Sequence, residues 1–333
     1  MVKEDLSLGS LREEEVVEYI ARRLVSPPSI GEHLGYPDDA RDLLPRGPRI
    51  IVSTDAYSIE SLMLPWRTLE DVGWSSVMGA LSDVVSKGGI PHACMIALGV
   101  PRSWNLTSLG ELVDGIKEAT SSYGVKVLGG DTNSSLEPWI AITVIGFTSA
   151  KIPPRRAGLS VGDIIIVTGR YGAMGYVAMH GFERSSQLMW VVKATKRPTV
   201  RVEVAYVIQV HYRQITSTMD VSDGLGYTLN HVSRLSGKGI KLEKPPIVHE
   251  EIVEICRGDQ RCILNYALLG GEEYGVVMGV KREHAKEVIR ELEYYNIEYA
   301  VVGEVVDVEP GVYYEGEKLA IKRYDQFGGW TTI

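Results

Sequence analysis

Two carboxylates flank one hydroxyl in the stretch MDVSDGLGYTLNHVSRLSG, residues 219–237: Asp220 and Asp223 on either side of Ser222. Similar acids recur where apolar runs stop, at Asp55 after IIVST and at Asp131 after VLGG. Asp38 and Asp39 lie in a loop rich in glycine and proline, and Asp83 lies in LSDVVSKGG. Taken singly, each reads as a helix cap or a solvated carboxylate, and Asp223 as the N-cap of the helix that follows it. Taken together, carboxylates gathered beyond strand ends repel one another unless a cation neutralises them. Mg²⁺ suits such a set, because it is a hard ion that takes a few carboxylates together with substrate phosphates. The chemistry this points to is Mg²⁺-assisted work on a phosphate chain.

Glycines supply a second signal. Gly129 and Gly130 precede Asp131, where absent side chains let a phosphate or base approach the backbone. VTGRYGAMGYV carries Gly169, Gly172 and Gly175 at a strand-to-helix turn. Its G-x-x-G-x-x-G spacing is only a loose dinucleotide fingerprint, and a tight turn with close helix packing is the plainer reading. In LLGGEEYGVV two glycines precede Glu272, Glu273 and Tyr274, read either as a turn with solvated acids or as part of a site. No P-loop sequence occurs, so any use of ATP must do without one.

The elements that must position these residues follow from periodicity. Residues 11–24 read as a helix, 49–59 as a strand, 70–88 as a helix, 94–101 as a strand, 106–124 as a helix closed by Gly124, and 126–132 and 139–149 as strands. That gives about four strands alternating with helices in the first half. PPRRAGLSVGD, residues 153–163, is turn-rich and marks the boundary between domains at 1–150 and 151–333. The second half reads as a strand at IIIVTG, helices near 172–181 and 199–211, and a helix at 224–236 with Leu225, Leu229, Val232 and Leu235 on one face. A helix near 249–257, a strand around YGVVMGVK, a helix at 282–296 and closing strands complete it. The fold class expected is α/β followed by α+β with many antiparallel neighbours.

A chain of 333 residues, 44% apolar and 23% charged, is long enough for two cores. A net charge of −8 with no Lys/Arg-dense stretch argues against a nucleic-acid partner and leaves nucleotides open through Mg²⁺. The charged amphipathic N-terminal stretch and the lack of an 18-residue apolar run lead us to expect a cytoplasmic protein with no membrane span. Scarce Asn and Gln beside plentiful Glu and Arg lean thermophilic. Cys94 reads as a buried thiol. Cys256 and Cys262 are expected to be free thiols, with a bridge allowed in a thermophile, where cytosolic disulfides occur.

These motifs, in order along nearly the whole chain, resemble thiamine-monophosphate kinases of the aminoimidazole-ribonucleotide-synthetase-like (PurM-like) superfamily. PDDAR at 37–41 is similar to that family's GDDAA. STD at 53–55 is similar to T-T-D, and ALSDVVSKGGIP, with Asp83, to N-L-S-D-x-A-A-M-G-A-x-P. GGDT at 129–132 is identical to the family form. RAGLSVGD, with Arg156, is similar to R-S-G-A-K-P-G-D, DVSDGL at 220–225 to D-x-S-D-G-L, GGEEY at 270–274 to G-G-E-D-Y, and RYDQF to the closing GYDHF.

The resemblance implies transfer of the γ-phosphoryl group of ATP onto thiamine monophosphate with several Mg²⁺ ions. It implies metal ligands at Asp39, Ser53, Thr54, Asp55, Asp83, Asp131, Asp220 and Asp223, and ATP contacts at Gly130, Asp131, Arg156 and Ser222. Glu272 and a C-terminal aromatic would meet the substrate: Tyr324 by its place in RYDQF, with Phe327 and Trp330 close by. It also implies an N-terminal α/β domain that binds ATP and Mg²⁺ and dimerises through its sheet, a C-terminal α+β domain, and therefore a homodimer. A substrate-contacting His of the family is replaced here at Leu62 or Met63, Pro37 stands for the first glycine of GDDAA, and Glu273 for the Asp of GGEDY. These departures fall mainly where substrate is recognised, so ATP use is the firmer expectation. The alternatives are another ATP-using superfamily member, of aminoimidazole ribonucleotide synthetase type, or a non-catalytic nucleotide-binding paralogue. The hydrogenase-maturation and selenophosphate types are disfavoured because the reactive cysteines those members carry have no counterpart here.

Overall fold

The computed structural model describes residues 7–37, 40–325 and 329–333, and its chain divides into two compact units. Residues up to Val84 together with Ile90–Thr148 form the first, and Val85–Gly89 with Ser149–Ile333 form the second.

The first unit contains α1 (Glu13–Leu24), β1 (Arg49–Ser58), α2 (Ile59–Leu62), α3 (Leu69–Ser86), β2 (Ile90–Val100), α4 (Leu106–Ser122), β3 (Lys126–Ser134) and β4 (Trp139–Thr148). Three acids open α1 and two arginines close it, matching the helix dipole at both ends. The strands form one sheet in the order β1-β4-β2-β3. Only β2 and β3 are parallel, as a crossover through α4 requires. Along β1 the period-two alternation puts Ser53, Asp55 and Tyr57 on one face, each half-buried, and Val52, Thr54 and Ala56 on the exposed other face.

The second unit contains β5 (Ile164–Thr168), α5 (Ala173–Ser186), α6 (Met189–Lys196), α7 (Glu203–His211), β6 (Ile215–Asp220), α8 (Leu225–Ser236), β7 (Gly239–Leu242), α9 (Glu250–Ile255) and α10 (Gln260–Leu268). It continues with β8 (Val276–Val280), α11 (Ala285–Tyr294), β9 (Tyr299–Val306), β10 (Gly311–Tyr314), β11 (Glu317–Lys318), β12 (Lys322–Asp325) and β13 (Gly329–Thr332). Seven strands form a mixed sheet in the order β11-β10-β7-β9-β5-β8-β6, mostly antiparallel, and β12 and β13 make a separate hairpin. Helix α8 buries Leu225, Leu229 and Val232 as its spacing predicts, whereas Leu235 stays exposed.

Three expectations change. Strand β3 runs past its expected end at Thr132 to Ser134, because Asn133 and Ser134 go on pairing with Gly99 and Val100, whereas β1 ends at Ser58, within one residue of its expected span. Only Asp220 ends its strand. Cys256 and Cys262 are not free thiols but a disulfide, closing the short segment between α9 and α10. Helices α6 and α10 and the β12–β13 hairpin have no counterpart in the periodicity reading.

Candidate active site

In the first unit, β1 and α3 present their acids to each other. The Ser53 hydroxyl donates to Asp83 Oδ2 at 2.6 Å, and the Tyr57 hydroxyl to Asp55 Oδ2 at 3.2 Å. Gly79 lies one helical turn before Asp83, and a Cβ there would collide with the Asp55 carboxylate and the Tyr57 hydroxyl. The glycine therefore admits the carboxylate between strand and helix. Thr54 does not join this group. Its side chain is on the opposite face, where its hydroxyl pairs with that of Thr143 at 2.8 Å. Asp131 is exposed on β3, at the far edge of the sheet. Its row runs through Ala97 and Ala141 to Ala56, so three strand spacings, roughly 14 Å, separate Asp131 from β1. Gly130 adjoins it. Leu62 is only 3% exposed. Its side chain fills the core at the end of α2 while its carbonyl accepts from Arg67 Nη1 at 2.8 Å, so this position is a packing residue and offers no side chain to a substrate. Asp38, Asp39 and Phe327 lie outside the described residues.

In the second unit, Asp220, Ser222, Asp223 and Glu272 occupy two backbone segments joined side by side. The Val221 amide donates to the Gly275 carbonyl at 2.8 Å, the Tyr274 amide to Val221 at 3.0 Å and the Glu272 amide to Ser222 at 2.8 Å. Glycines allow this approach: a Cβ on Gly271 would collide with the Ser222 carbonyl. Glu272 and Tyr274 are held at φ of +57° and +41°, a left-handed conformation that costs a non-glycine residue about 1–3 kcal/mol. The pairing with residues 221 and 222 holds that strain in place. Asp220 is 2% exposed, and its carbonyl accepts the Thr228 hydroxyl at 3.1 Å, tying the strand end to α8. The N-cap of α8 is Gly224, with no side-chain cap, so Asp223 is not the capping residue.

Arg156 is carried to the same strand by its main chain. Its carbonyl accepts from the Ser217 hydroxyl at 2.7 Å, and the Thr218 amide donates to the Arg155 carbonyl at 2.9 Å. Burial, and then the charge of Arg156, hold the His231 imidazole below its usual range. Tyr324, 61% exposed on the hairpin, meets Trp330 edge-on at 5.9 Å.

The glycine-rich turn before α5 is filled from within. Glu273 Oε1 accepts from the amides of Gly172 at 2.9 Å and Met174 at 3.3 Å, so a carboxylate of the chain itself occupies the helix N-terminus where a dinucleotide phosphate would sit. Burial raises the Glu273 carboxyl well above the usual range, against the lowering effect of those amides. Its Oε2 is shut off from solvent with no hydrogen-bond partner. The plainer reading of VTGRYGAMGYV, a tight turn under close packing, is the one this geometry supports.

Among the described residues no three His, Cys, Asp or Glu side chains group closely enough to hold a metal ion. Within the first unit Asp55 and Asp83 lie together and Asp131 lies three strands away from β1; within the second, Asp220 and Asp223 share one segment. Sequence reasoning missed Tyr57, although its place two residues beyond Asp55 put it on the same strand face. It also missed Glu273 as a cap.

Residues 37–148 match the family described as AIR synthase related protein, N-terminal domain, and residues 160–315 the corresponding C-terminal domain. The thiamine-monophosphate kinase of Nitrosopumilus maritimus is 29% identical over 288 residues, 85% of this chain and 87% of its own. A thiamine-monophosphate kinase structure from Stenotrophomonas maltophilia superposes with a TM-score of 0.77 at 22% identity, covering 93% of this chain and 98% of that one. An AaThiL structure complexed with AMPPCP and TMP gives 0.71 at 24% identity, covering 96% and 99%.

Proposed function

The chain belongs to the AIR synthase related proteins, with their two-domain fold, and from that premise we propose that it is a thiamine-phosphate kinase, moving the γ-phosphoryl group of ATP onto the phosphate of thiamine monophosphate. The curated relatives that run along most of its length carry that name, at 27% and 29% identity among others. The observation that carries the reading is the joined pair of segments Asp220–Asp223 and Gly271–Gly275. It puts a buried acid, a hydroxyl, an exposed acid and a strained glutamate together on glycine-dependent backbone.

An anionic oxygen of the acceptor phosphate attacks the γ-phosphorus in line, and the bond from that phosphorus to the bridging oxygen of ADP breaks. No protein nucleophile or base is needed, so the residues' work is positioning and charge neutralisation. The donors in both units are carboxylate and hydroxyl oxygens, the set Mg²⁺ takes. Ser53, Asp55 and Asp83 in one unit, Asp220 and Asp223 in the other, with Asp131 and Asp39, would hold the ions; Thr54 has only its backbone to offer. Bound Mg²⁺ supplies charge neutralisation along the phosphate chain. Gly130, Asp131, Ser222 and Arg156 would meet ATP, the arginine adding fixed positive charge. Glu272 and Tyr324 would face the acceptor. The exposed face of the first sheet, with Ile50, Val52, Met95 and Trp139, fits a homodimer interface. The working place of such a biosynthetic enzyme would be the cytoplasm; among the described residues no helix is long and apolar enough to cross a membrane.

The test incubates the protein with ATP, Mg²⁺ and thiamine monophosphate at elevated temperature and assays thiamine diphosphate. Product that disappears with EDTA supports the kinase. Mg²⁺-dependent ATP binding without product would move the protein to another acceptor or to a non-catalytic role.

A further inference from the structure

Lys87 follows α3 and stands where the resembled N-L-S-D-x-A-A-M-G-A-x-P pattern has methionine. It belongs with Val85–Gly89 to the second unit, so its contacts there are internal to that unit. The next residue fixes its place. Gly88 turns the chain at φ +71°, a Cβ on it would press on Ile208, and its carbonyl accepts from Gln209 Nε2 at 2.8 Å. The half-buried Lys87 side chain reaches β6, where Nζ donates to the Thr218 carbonyl and, at 3.2 Å, to the Thr218 hydroxyl. Strand β6 is the last of its sheet and pairs with β8 on one side only. At Thr218 its outer edge is held by two groups, the Arg155 carbonyl taking the amide and the Lys87 ammonium donating to the carbonyl.

An outward carbonyl on an edge strand needs a partner, and a neutral donor would satisfy it. What exceeds that need is where the charge stands. Residues two apart in a strand share a face, so the Thr218 hydroxyl that takes Nζ lies on the same face of β6 as the Asp220 side chain, about 7 Å along the strand. Asp220 is 2% exposed, and a carboxylate so far from water is kept there by positive charge and fixed geometry. A Thr218 peptide free to rotate would tilt the strand end, and with it the segment joined to Gly271–Gly275. We propose that Lys87 is a positioning residue for Asp220: its ammonium pins the Thr218 peptide two residues before the acid and keeps a fixed positive charge on the face from which the carboxylate projects. The inference rests on the reading of Asp220 as a residue of the kinase site, and adds to that site a lysine that the resembled pattern does not have.

The experiment compares the wild-type chain with Lys87→Met and Lys87→Arg, with thermal unfolding to show that each folds. Methionine keeps an unbranched stem without the charge, and arginine keeps both charge and donors. Lys87→Met is expected to lower kcat for thiamine diphosphate formation about tenfold or more, with the KM for thiamine monophosphate within about twofold of wild type, because a misplaced group costs the transition state more than it costs acceptor binding. Lys87→Arg is expected to recover most of that loss. A folded Lys87→Met with wild-type kcat would overturn the proposal; equal losses in the two variants would do the same and leave Lys87 a packing residue. A second readout needs no turnover: the Nζ resonance of Lys87 in the wild-type protein as Mg²⁺ and AMPPCP are added. A shift supports the proposal, and no shift at saturation refutes it. If the wild-type chain binds Mg²⁺ and AMPPCP but forms no thiamine diphosphate, the kinase reading falls and this resonance alone decides the positioning, as it does should both variants unfold. A chain that binds neither would overturn the reading and the positioning together.

Discussion

The acids of the first unit are held by side chains, and those of the second by backbone. Asp83 takes the Ser53 hydroxyl and Asp55 that of Tyr57, across a strand and a helix. Asp220, Ser222 and Asp223 lie instead on a segment joined amide to carbonyl with residues 272–275. The first arrangement can relax, because hydroxyls and carboxylates turn on single bonds. The second cannot, because moving Ser222 moves the whole ladder and the strained Glu272 with it. The first unit therefore presents its acids on adaptable side-chain contacts, and the second presents its acids on a rigid backbone frame.

The largest expected effect breaks the rigid half at its charge. Asp220→Asn should lower thiamine diphosphate formation by about a hundredfold or more while thermal unfolding shows an intact fold, since one buried carboxylate is lost with little change in shape. Turnover within a factor of two of wild type would remove Asp220 from the site.

Next come two alanine substitutions that set the halves against each other. In Gly271→Ala the new methyl meets the Ser222 carbonyl, so both the melting temperature and turnover should fall, with a stability loss of about 2 kcal/mol or more. In Gly79→Ala the methyl meets the movable ends of Asp55 and Tyr57, so stability should fall less while Mg²⁺ affinity weakens. Equal losses of stability in the two variants would erase the distinction between backbone-held and side-chain-held acids.

Glu273 gives a smaller effect with a sign. Burial raises its carboxyl above the unfolded range, so the folded chain binds the proton more tightly than the unfolded chain does. The stability this contributes is complete below the unfolded carboxylate range. It is lost as pH rises from there through the raised folded value. Glu273→Gln still offers an oxygen to the Gly172 amide and does not titrate. The variant's melting temperature should therefore gain on wild type as pH rises through that interval; a constant difference would mean that Glu273 is ionised in the fold. The smallest effect on turnover is expected at the disulfide. Cys256→Ser opens a loop of six-residue separation, which the chain-entropy relation puts at about 2 kcal/mol, and should leave kcat unchanged because neither cysteine belongs to the joined segments.

Much of the site was legible in the residues. GGDT, DVSDGL and GGEEY stand out because glycine beside acid is a combination that packing alone rarely demands, and the apolar spacing of α8 announced a helix just after Asp220. The face of Thr54 was legible too, since neighbours in a strand point to opposite sides. Other features were not. Helix α10 lies behind the turn that the disulfide closes, where the local pattern is too short to show a period. The hairpin β12–β13 is a pair of four-residue strands whose identity depends on their pairing.

By itself the sequence determined which residues could carry charge, which backbone points had to be bare, and that two α/β-type units would display them, because composition and periodicity are local. Only the tertiary structure decided that Leu62 is core, that Asp131 stands three strands from β1, that Glu273 fills the glycine-rich turn before α5, and that Arg41 is buried with its Nη1 on the Ser26 and Leu128 carbonyls. Each of these depends on contacts between residues far apart in the chain, and burial and hydrogen-bond partnership exist only once distant segments meet.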